Sequence, residues 1–369
     1  MRGVVWTGSE LVVTDRLEVR DPGPGEALVR VEASGICHSD VNVIDGVSPV
    51  PPPVVLGHEA CGVVERLGPG VDGPAPGTRV VVNAMTPCRR CAACDTGRLS
   101  ECARAFAGSG RPFTLDGEPV RSYAAVSSFA ELITVRADQL VAVPEGIAPE
   151  VAAVVGCAVT TAFGSVRNVG RVDAGDRVAV FGIGGIGVNV VQTCRLQHAA
   201  QILAIDISEA KTEVGRRFGA THTLVVAPDH DLVGQVRDVT GGGVDVSFEC
   251  SGSIAAIEAA IAALRPGGTC VLIGIPPRGA RASFDVSHLF SSRRIVGAYN
   301  GAVRAHHDIP LIFELARQGA LDLDHVVTRT LPIERVHDAL AEMRSGAHVR
   351  VVLQHLAQPR RPERGDESS

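Results

Sequence analysis

Cysteines at 88, 91, 94 and 102 put four thiols into fifteen consecutive residues of a chain that holds ten cysteines in all. Two Cys-x-x-Cys steps in series, with a fourth sulfur eight residues on, suit one tetrahedral Zn²⁺ bound by four thiolates. Such a centre leaves no position for a substrate, so it is expected to be structural, stapling a lobe at about residues 86–104. A metal that does chemistry needs three protein ligands and an open position. Candidate donors for one are Cys37, His58 and Cys157, each close to a glycine. Taken singly, the two cysteines read equally well as small buried hydrophobes, and the histidine as a satisfied core or surface group. They lie too far apart in sequence for spacing to unite them.

A second constellation is Gly182, Gly184 and Gly187 in VAVFGIGGIGVNVVQTCR, directly after a strand-like run and at the start of a helical one. The first glycine permits a tight turn, the second lets the backbone approach a pyrophosphate, and the third allows close helix–strand packing. Phosphate oxygens then meet the free N–H groups and positive dipole end of the helix. Asp206 closes the next strand-like run, nineteen residues after Gly187, where a carboxylate would bind ribose hydroxyls. It would repel a 2′-phosphate, which favours NAD over NADP. Asp206 could also be a solvated carboxylate at a strand end.

The elements that must position these residues divide in two. The first 150 residues read as β-rich: LVVTD, ALVRVEASG, RVVVNA and AELITV are separated by proline- and glycine-bearing stretches. From about residue 176, strand-like DRVAVFG, ILAID, VDVSFEC and TCVLIG alternate with helical stretches such as SIAAIEAAIAALRPGG. That alternation predicts a doubly wound parallel sheet, and hence an α/β fold. Two more helical stretches, IPLIFELARQG and ERVHDALAEMRSG, precede a last strand, VRVVLQ.

At 369 residues the chain suggests two domains, and with 45% hydrophobic residues it can bury substantial cores. A net charge of −6 carries no nucleic-acid footprint. The N-terminal residues lack a secretory apolar core, and charged, glycine or proline positions interrupt the long apolar runs, so no membrane is expected and the location reads as cytoplasmic. In that reducing compartment clustered cysteines point to metal rather than disulfides. Residues 358–369, polar and proline-bearing, are expected to form a disordered tail.

At these residues the chain resembles the zinc-dependent medium-chain alcohol dehydrogenases over almost its whole length. Gly35-Ile36-Cys37-His38-Ser39-Asp40, Gly57-His58-Glu59, the four-cysteine lobe, Gly156-Cys157, the glycine-rich turn and Asp206 occur in the family's order. The resemblance implies two zinc ions per chain and NAD. Cys37, His58 and Cys157 would bind the catalytic zinc, and Cys88, Cys91, Cys94 and Cys102 the structural one. Asp40 and Glu59 match nearby acidic positions, with Asp40 orienting His58. Ser39 matches the hydroxyl that bonds the substrate oxygen and starts a proton relay. His38 and Arg350 would meet the pyrophosphate with Gly182, Gly184, Gly185 and Gly187, Lys211 the adenosine ribose, and Thr161 the nicotinamide. For Lys211 and Arg350, exposed surface charge is the competing explanation.

The implied architecture is a GroES-like catalytic domain (1–158), an inserted Rossmann domain (159–298) and a return to the catalytic domain (299–357). The active site would lie in the cleft between domains. The implied reaction is hydride transfer between NAD and a primary or secondary alcohol, or its aldehyde or ketone, in a homodimer or homotetramer. Two departures from the family stand out. Asn42 occupies the place of a relay histidine, and an amide does not exchange a proton near neutral pH as imidazole does. Ala84 and Ala124, the latter beside Tyr123, replace bulky pocket residues and imply room for a larger substrate. The lobe around VVVNAMTPCRRCAACDTG also resembles that of mycothiol-dependent formaldehyde dehydrogenases, which makes a thiol-conjugate formaldehyde dehydrogenase the rival reading. A non-catalytic dinucleotide-binding protein is a remote one, because none of the zinc ligands is lost.

Overall fold

A computed structural model describes residues 1–106, 110–227 and 230–355. The polar tail expected at 358–369 lies outside the described residues.

The β-branched runs near the N-terminus form two sheets. In the larger one, Glu26–Gly35 pairs antiparallel with Glu59–Leu67, with Leu132–Arg136 and with the C-terminal strand Arg350–Gln354. Val327–Pro332 adds outside Arg350–Gln354 in parallel. The chain from Val327 to Gln354 therefore returns to the sheet that the first segment begins, and Arg350 enters a structure built about 300 residues earlier. Val29, Val31, Val64, Val80, Val82 and Leu353 are nearly fully buried in its core.

Between these segments lies a six-stranded parallel sheet ordered His222–Val225, Gln201–Asp206, Arg177–Phe181, Val244–Glu249, Leu264–Leu272, Arg294–Gly297. In chain order this is 3-2-1-4-5-6, the doubly wound pattern whose order reverses beside the first strand. A ligand crevice is expected at that reversal, beyond the carboxyl ends of Arg177–Phe181 and Val244–Glu249.

The helical stretch expected through SIAAIEAAIAALRPGG is shorter in the structure. The helix stops at Ala262, and Leu264 already pairs with Val244. Pro266 disfavours helical backbone at the residue before it, and Gly267 sits at φ +80°, so the chain leaves the helix early and enters the strand through a register shift.

Pro149–Gly170 is a 22-residue apolar helix, long enough to cross a membrane, but 83% of its apolar window is buried inside the molecule. Val154, Val155, Ala162 and Phe163 pack there into the core shared with the parallel sheet. It widens to π turns at Val155–Val159 and Ser165–Gly170. The first of these carries Cys157, as wide turns often do at functional positions.

Candidate active site and metal centres

Three chain segments bring one group of donors together. Strand Glu26–Gly35 leads into Cys37, which precedes the short helix His38–Ile44. Gly57, at φ +86°, supplies the left-handed turn that delivers His58, and a side chain there would also strike Ser128 Oγ and Phe129. Gly156 runs against the Val82 carbonyl, where a Cβ would sit 2.5 Å away, and so seats Cys157 against the sheet. One ligand atom from each of Cys37, His58, Glu59 and Cys157 lies within 4.8 Å of every other. Residues that no spacing rule could join are thus one cluster.

Asp40 organises it. Its fully buried carboxylate accepts backbone N–H groups from Cys37 at 3.0 Å and Gly57 at 2.9 Å, and faces His58 Nδ1 at 3.3 Å. A carboxylate on Nδ1 fixes the tautomer that leaves Nε2 free to ligate. Ser39 Oγ is 3.2 Å from that Nε2.

The electrostatics favour a cation. A hydrogen bond from Cys157 is the largest influence on Cys37; with help from His58 and Arg350 it outweighs burial and draws the thiol well below its ordinary range. The same bond, with burial, pushes Cys157 well above. Burial opposes charge on His58, but Asp40 and the Cys37 sulfur outweigh it and raise the imidazole. Burial pushes the Glu59 carboxyl up to about 7 against the pull of Arg350. Both Glu59 oxygens are buried without a hydrogen-bond partner, although the Arg350 guanidinium approaches to 3.2 Å. Buried sulfur and carboxylate donors around one imidazole fit a dication, with cysteine and histidine types pointing to zinc.

The second donor group is Cys88, Cys91, Cys94 and Cys102, whose sulfurs also lie within 4.8 Å of one another. Cys88 and Cys94 are 4.0 Å apart, and Cys91 and Cys94 3.6 Å. Backbone N–H groups of Cys88 and Arg104 each donate to Cys102 Sγ at 3.4 Å, and they draw its thiol down to about 6. Four sulfurs so close together suit a closed tetrahedral metal.

From the first cluster a cleft of ≈ 250 Å³ runs across the end of the parallel sheet. Cys37, His38, Ser39 and Asn42 line it from one side, and Gly182, Gly184, Gly185, Asp206 and Lys211 from the other, with Arg350 between. Gly184 faces open space, whereas a Cβ on Gly187 would sit 2.0 Å from the Gly182 carbonyl, so the helix start closes tightly on the turn. Asp206 Oδ2 accepts the Ile183 N–H at 2.8 Å and Oδ1 the Ser208 N–H at 3.0 Å. Each oxygen keeps a lone pair for a ligand hydroxyl.

Arg350 is 6% exposed, which removes the surface-charge explanation for it. It donates to the Ile36 carbonyl at 3.0 Å, and its Nε is buried without a partner beside Gly185. An orphaned guanidinium N–H at a glycine-rich turn fits a phosphate. Thr161 is buried in the long helix, Cys157 and His58 sit at the metal cluster, and Asn42 reaches the cleft from its helix.

Sequence reasoning missed Cys250, Ser251 and Ile273 to Ile275, which also line the cleft. They follow the carboxyl ends of two parallel strands, the position that could have signalled them. It also missed how closely Tyr123 engages the cluster: its ring meets His58 edge-on at 5.6 Å.

Residues 23–145 match the family model described as alcohol dehydrogenase GroES-like domain, and residues 185–318 the one described as zinc-binding dehydrogenase. S-(hydroxymethyl)glutathione dehydrogenase of Escherichia coli O1:K1 / APEC is 34% identical, over 92% of this chain and 95% of its own. Among solved structures, an alcohol dehydrogenase zinc-binding domain protein from Burkholderia ambifaria is similar at TM-score 0.91 and 33% identity, covering 96% of this chain and 99% of that one. Benzyl alcohol dehydrogenase from Acinetobacter calcoaceticus follows at TM-score 0.88 and 28% identity, with the same coverage.

Proposed function

The chain belongs to the zinc-dependent alcohol dehydrogenase family, and from that premise we propose that it transfers a hydride between an alcohol and NAD. The observation that carries this is the complete Cys37, His58 and Cys157 donor set at one end of a cleft whose other wall is the glycine-rich turn and Asp206. A non-catalytic dinucleotide-binding protein has no need of that set.

When bound, zinc supplies the Lewis acidity that makes a hydroxyl a better acid, and the nicotinamide accepts the hydride. Cys37, His58 and Cys157 would hold that metal, with Glu59 behind them and Asp40 fixing His58 through Nδ1. Ser39 Oγ would take the substrate's proton, which, with Asn42 where the relay histidine would stand, would leave by water, by His38 or by a slower route. Arg350 Nε, His38 and the N–H groups around Gly184 and Gly185 would hold the pyrophosphate. Asp206 and Lys211 would hold the adenosine ribose, and Thr161 would pack on the nicotinamide. Cys88, Cys91, Cys94 and Cys102 would bind a structural zinc.

We assign residues 1–158 and 299–357 to the catalytic domain, 159–298 to the nucleotide-binding domain, and the protein to the cytoplasm. Val286, Leu289 and Phe290, exposed at 62%, 42% and 89%, lead into the outer strand of the parallel sheet and support a homodimer or homotetramer.

The likeness to a benzyl alcohol dehydrogenase favours a bulky free alcohol as substrate. The second reading, a thiol-conjugate formaldehyde dehydrogenase, is favoured by the curated relative at 34% identity. One experiment separates them: NAD reduction with benzyl alcohol alone, and with formaldehyde in the presence and absence of glutathione or mycothiol. Turnover of the free alcohol without thiol is expected. Turnover confined to formaldehyde plus thiol would establish the second reading instead.

A further inference from the structure

Tyr123 stands outside both metal clusters, yet it touches two members of the proposed chemistry. Its Oη donates to the Ser39 carbonyl at 3.1 Å, and its ring meets His58 at an interplanar angle of 78°. Ser39 needs such support. It sits in the first turn of a seven-residue helix, and helices that short are marginal without tertiary contacts.

The loop carrying Tyr123 is itself locked. Tyr123 N–H donates to Ser127 Oγ at 2.8 Å, whose hydroxyl donates to Ser122 Oγ at 2.9 Å. The Val126 and Ser127 N–H groups both return to the Tyr123 carbonyl. Ala124, Ala125 and Ser127 hold positive φ of 48°, 58° and 62° without being glycines. Such backbone persists only where its surroundings over-determine it, and it collects at functional sites. Immediately after, the Ser128 and Phe129 N–H groups donate to the Gly57 and Leu56 carbonyls, tying the loop to the turn that delivers His58. One rigid loop therefore braces the backbone of Ser39 through a side chain and the backbone before His58 through a strand-like pair of bonds.

We propose that Tyr123 is a positioning residue for hydride transfer: its hydroxyl, anchored on the Ser39 carbonyl, fixes the Ser39 side chain against the reacting hydroxyl group. The proposal rests on Ser39 being the first proton acceptor. Proximity effects make a reacting hydroxyl sensitive to displacements well below 1 Å, so a lost brace should register in rate rather than in binding.

Tyr123→Phe keeps the ring on His58 and removes only the hydroxyl. Single-turnover hydride transfer should slow by about 3- to 10-fold, the scale of one hydrogen bond. The alcohol KM, NADH affinity and zinc content should stay unchanged, and amides of His38–Ile44 should exchange faster with deuterium. In a Ser39→Ala background the same substitution should slow the rate no further. An equal slowing in both backgrounds would overturn the proposal, as would wild-type rate and exchange in Tyr123→Phe. Were Ser39→Ala alone to transfer hydride at the wild-type rate, the reading of Ser39 itself would fail and the proposal with it.

Discussion

In the proposed function Arg350 has two tasks for one guanidinium, and they can be separated. One face approaches buried Glu59 at 3.2 Å, while Nε lies beside Gly185 with no hydrogen-bond partner among the described residues. Arg350→Met preserves most of the stem volume and removes both. Glu59, already pushed up to about 7 by burial with Arg350 in place, then loses its counter-charge and takes a proton, so the loss of stability stays below the about 3–5 kcal/mol of a stranded buried charge. The bound dinucleotide loses a charge-assisted hydrogen bond, about 1.5–3 kcal/mol, which weakens NADH binding roughly 10- to 150-fold. Glu59→Gln alone should destabilise too, because it strands the cation, but it should leave NADH affinity intact or slightly tighter. The double variant Arg350→Met/Glu59→Gln has no unpaired charge, so stability should largely return while NADH binding stays weak. Thermal unfolding and NADH fluorescence titration at verified zinc content read the two effects. If the double variant regained NADH affinity along with stability, the weak binding would have come from a distorted cleft, and the placement of Arg350 Nε on the pyrophosphate would be wrong.

Three further outcomes follow from the same structure. Metal analysis should give two zincs per chain; Cys91→Ser should lower folding stability first, whereas Cys37→Ser should abolish turnover with the fold intact, and the reverse pattern would exchange the two sites. Asp206→Asn removes the charge but can still accept the Ile183 N–H, so the NADP-to-NAD ratio of kcat/KM should rise by at least ~10-fold, since like charges ~4 Å apart repel by more than that factor needs. Asp206→Gly should instead weaken both cofactors, because the turn loses its brace; a wild-type preference for NADP would refute the role of this carboxylate. Finally, burial lowers His355 from its ordinary 6.5 to about 4, its Nδ1 buried without a partner among the described residues and its Nε2 donating to the Ser128 carbonyl. A lowered histidine contributes its stability above pH 6.5 and loses it as pH falls toward 4, by at most about 3 kcal/mol. Denaturation midpoints of His355→Gln should therefore depend less on pH across that window than those of the zinc-loaded wild type, and parallel curves would remove His355 from the account.

What could be read from the sequence divides by the distance over which residues act. The four-cysteine lobe was legible because its ligands are neighbours in the chain, with spacing that is itself the geometry. The glycine turn and Asp206 were legible because one strand–turn–helix unit fixes them, and the structure keeps Gly187 against the Gly182 carbonyl as that unit requires. Cys37, His58 and Cys157 were not joined by any local rule; the resemblance to a family proposed the set, and the folding of three segments around Asp40 and Gly57 brings it together. Arg350 was ambiguous for the same reason. A strand-starting arginine looks like surface charge until the C-terminal strand is seen to pair with Glu26–Gly35, which buries it.

The loop at Tyr123 is the opposite case, where local rules point the wrong way. Nothing in Ser122-Tyr123-Ala124-Ala125-Val126-Ser127 asks for left-handed backbone, and alanine disfavours it, so a reader of sequence alone assigns no turn of this kind. The conformation exists because burial of Ala125, Val126, Ser127 and Ser128 and the hydrogen bonds to Gly57 and Ser39 outweigh the local preference. Places where tertiary contacts override local propensity are where function tends to sit. Here the override lies against the histidine of the donor cluster and the serine beside it. Its strain has a chemical object: a loop of glycines could trace the same path, but it would not hold a phenol rigidly enough to brace Ser39.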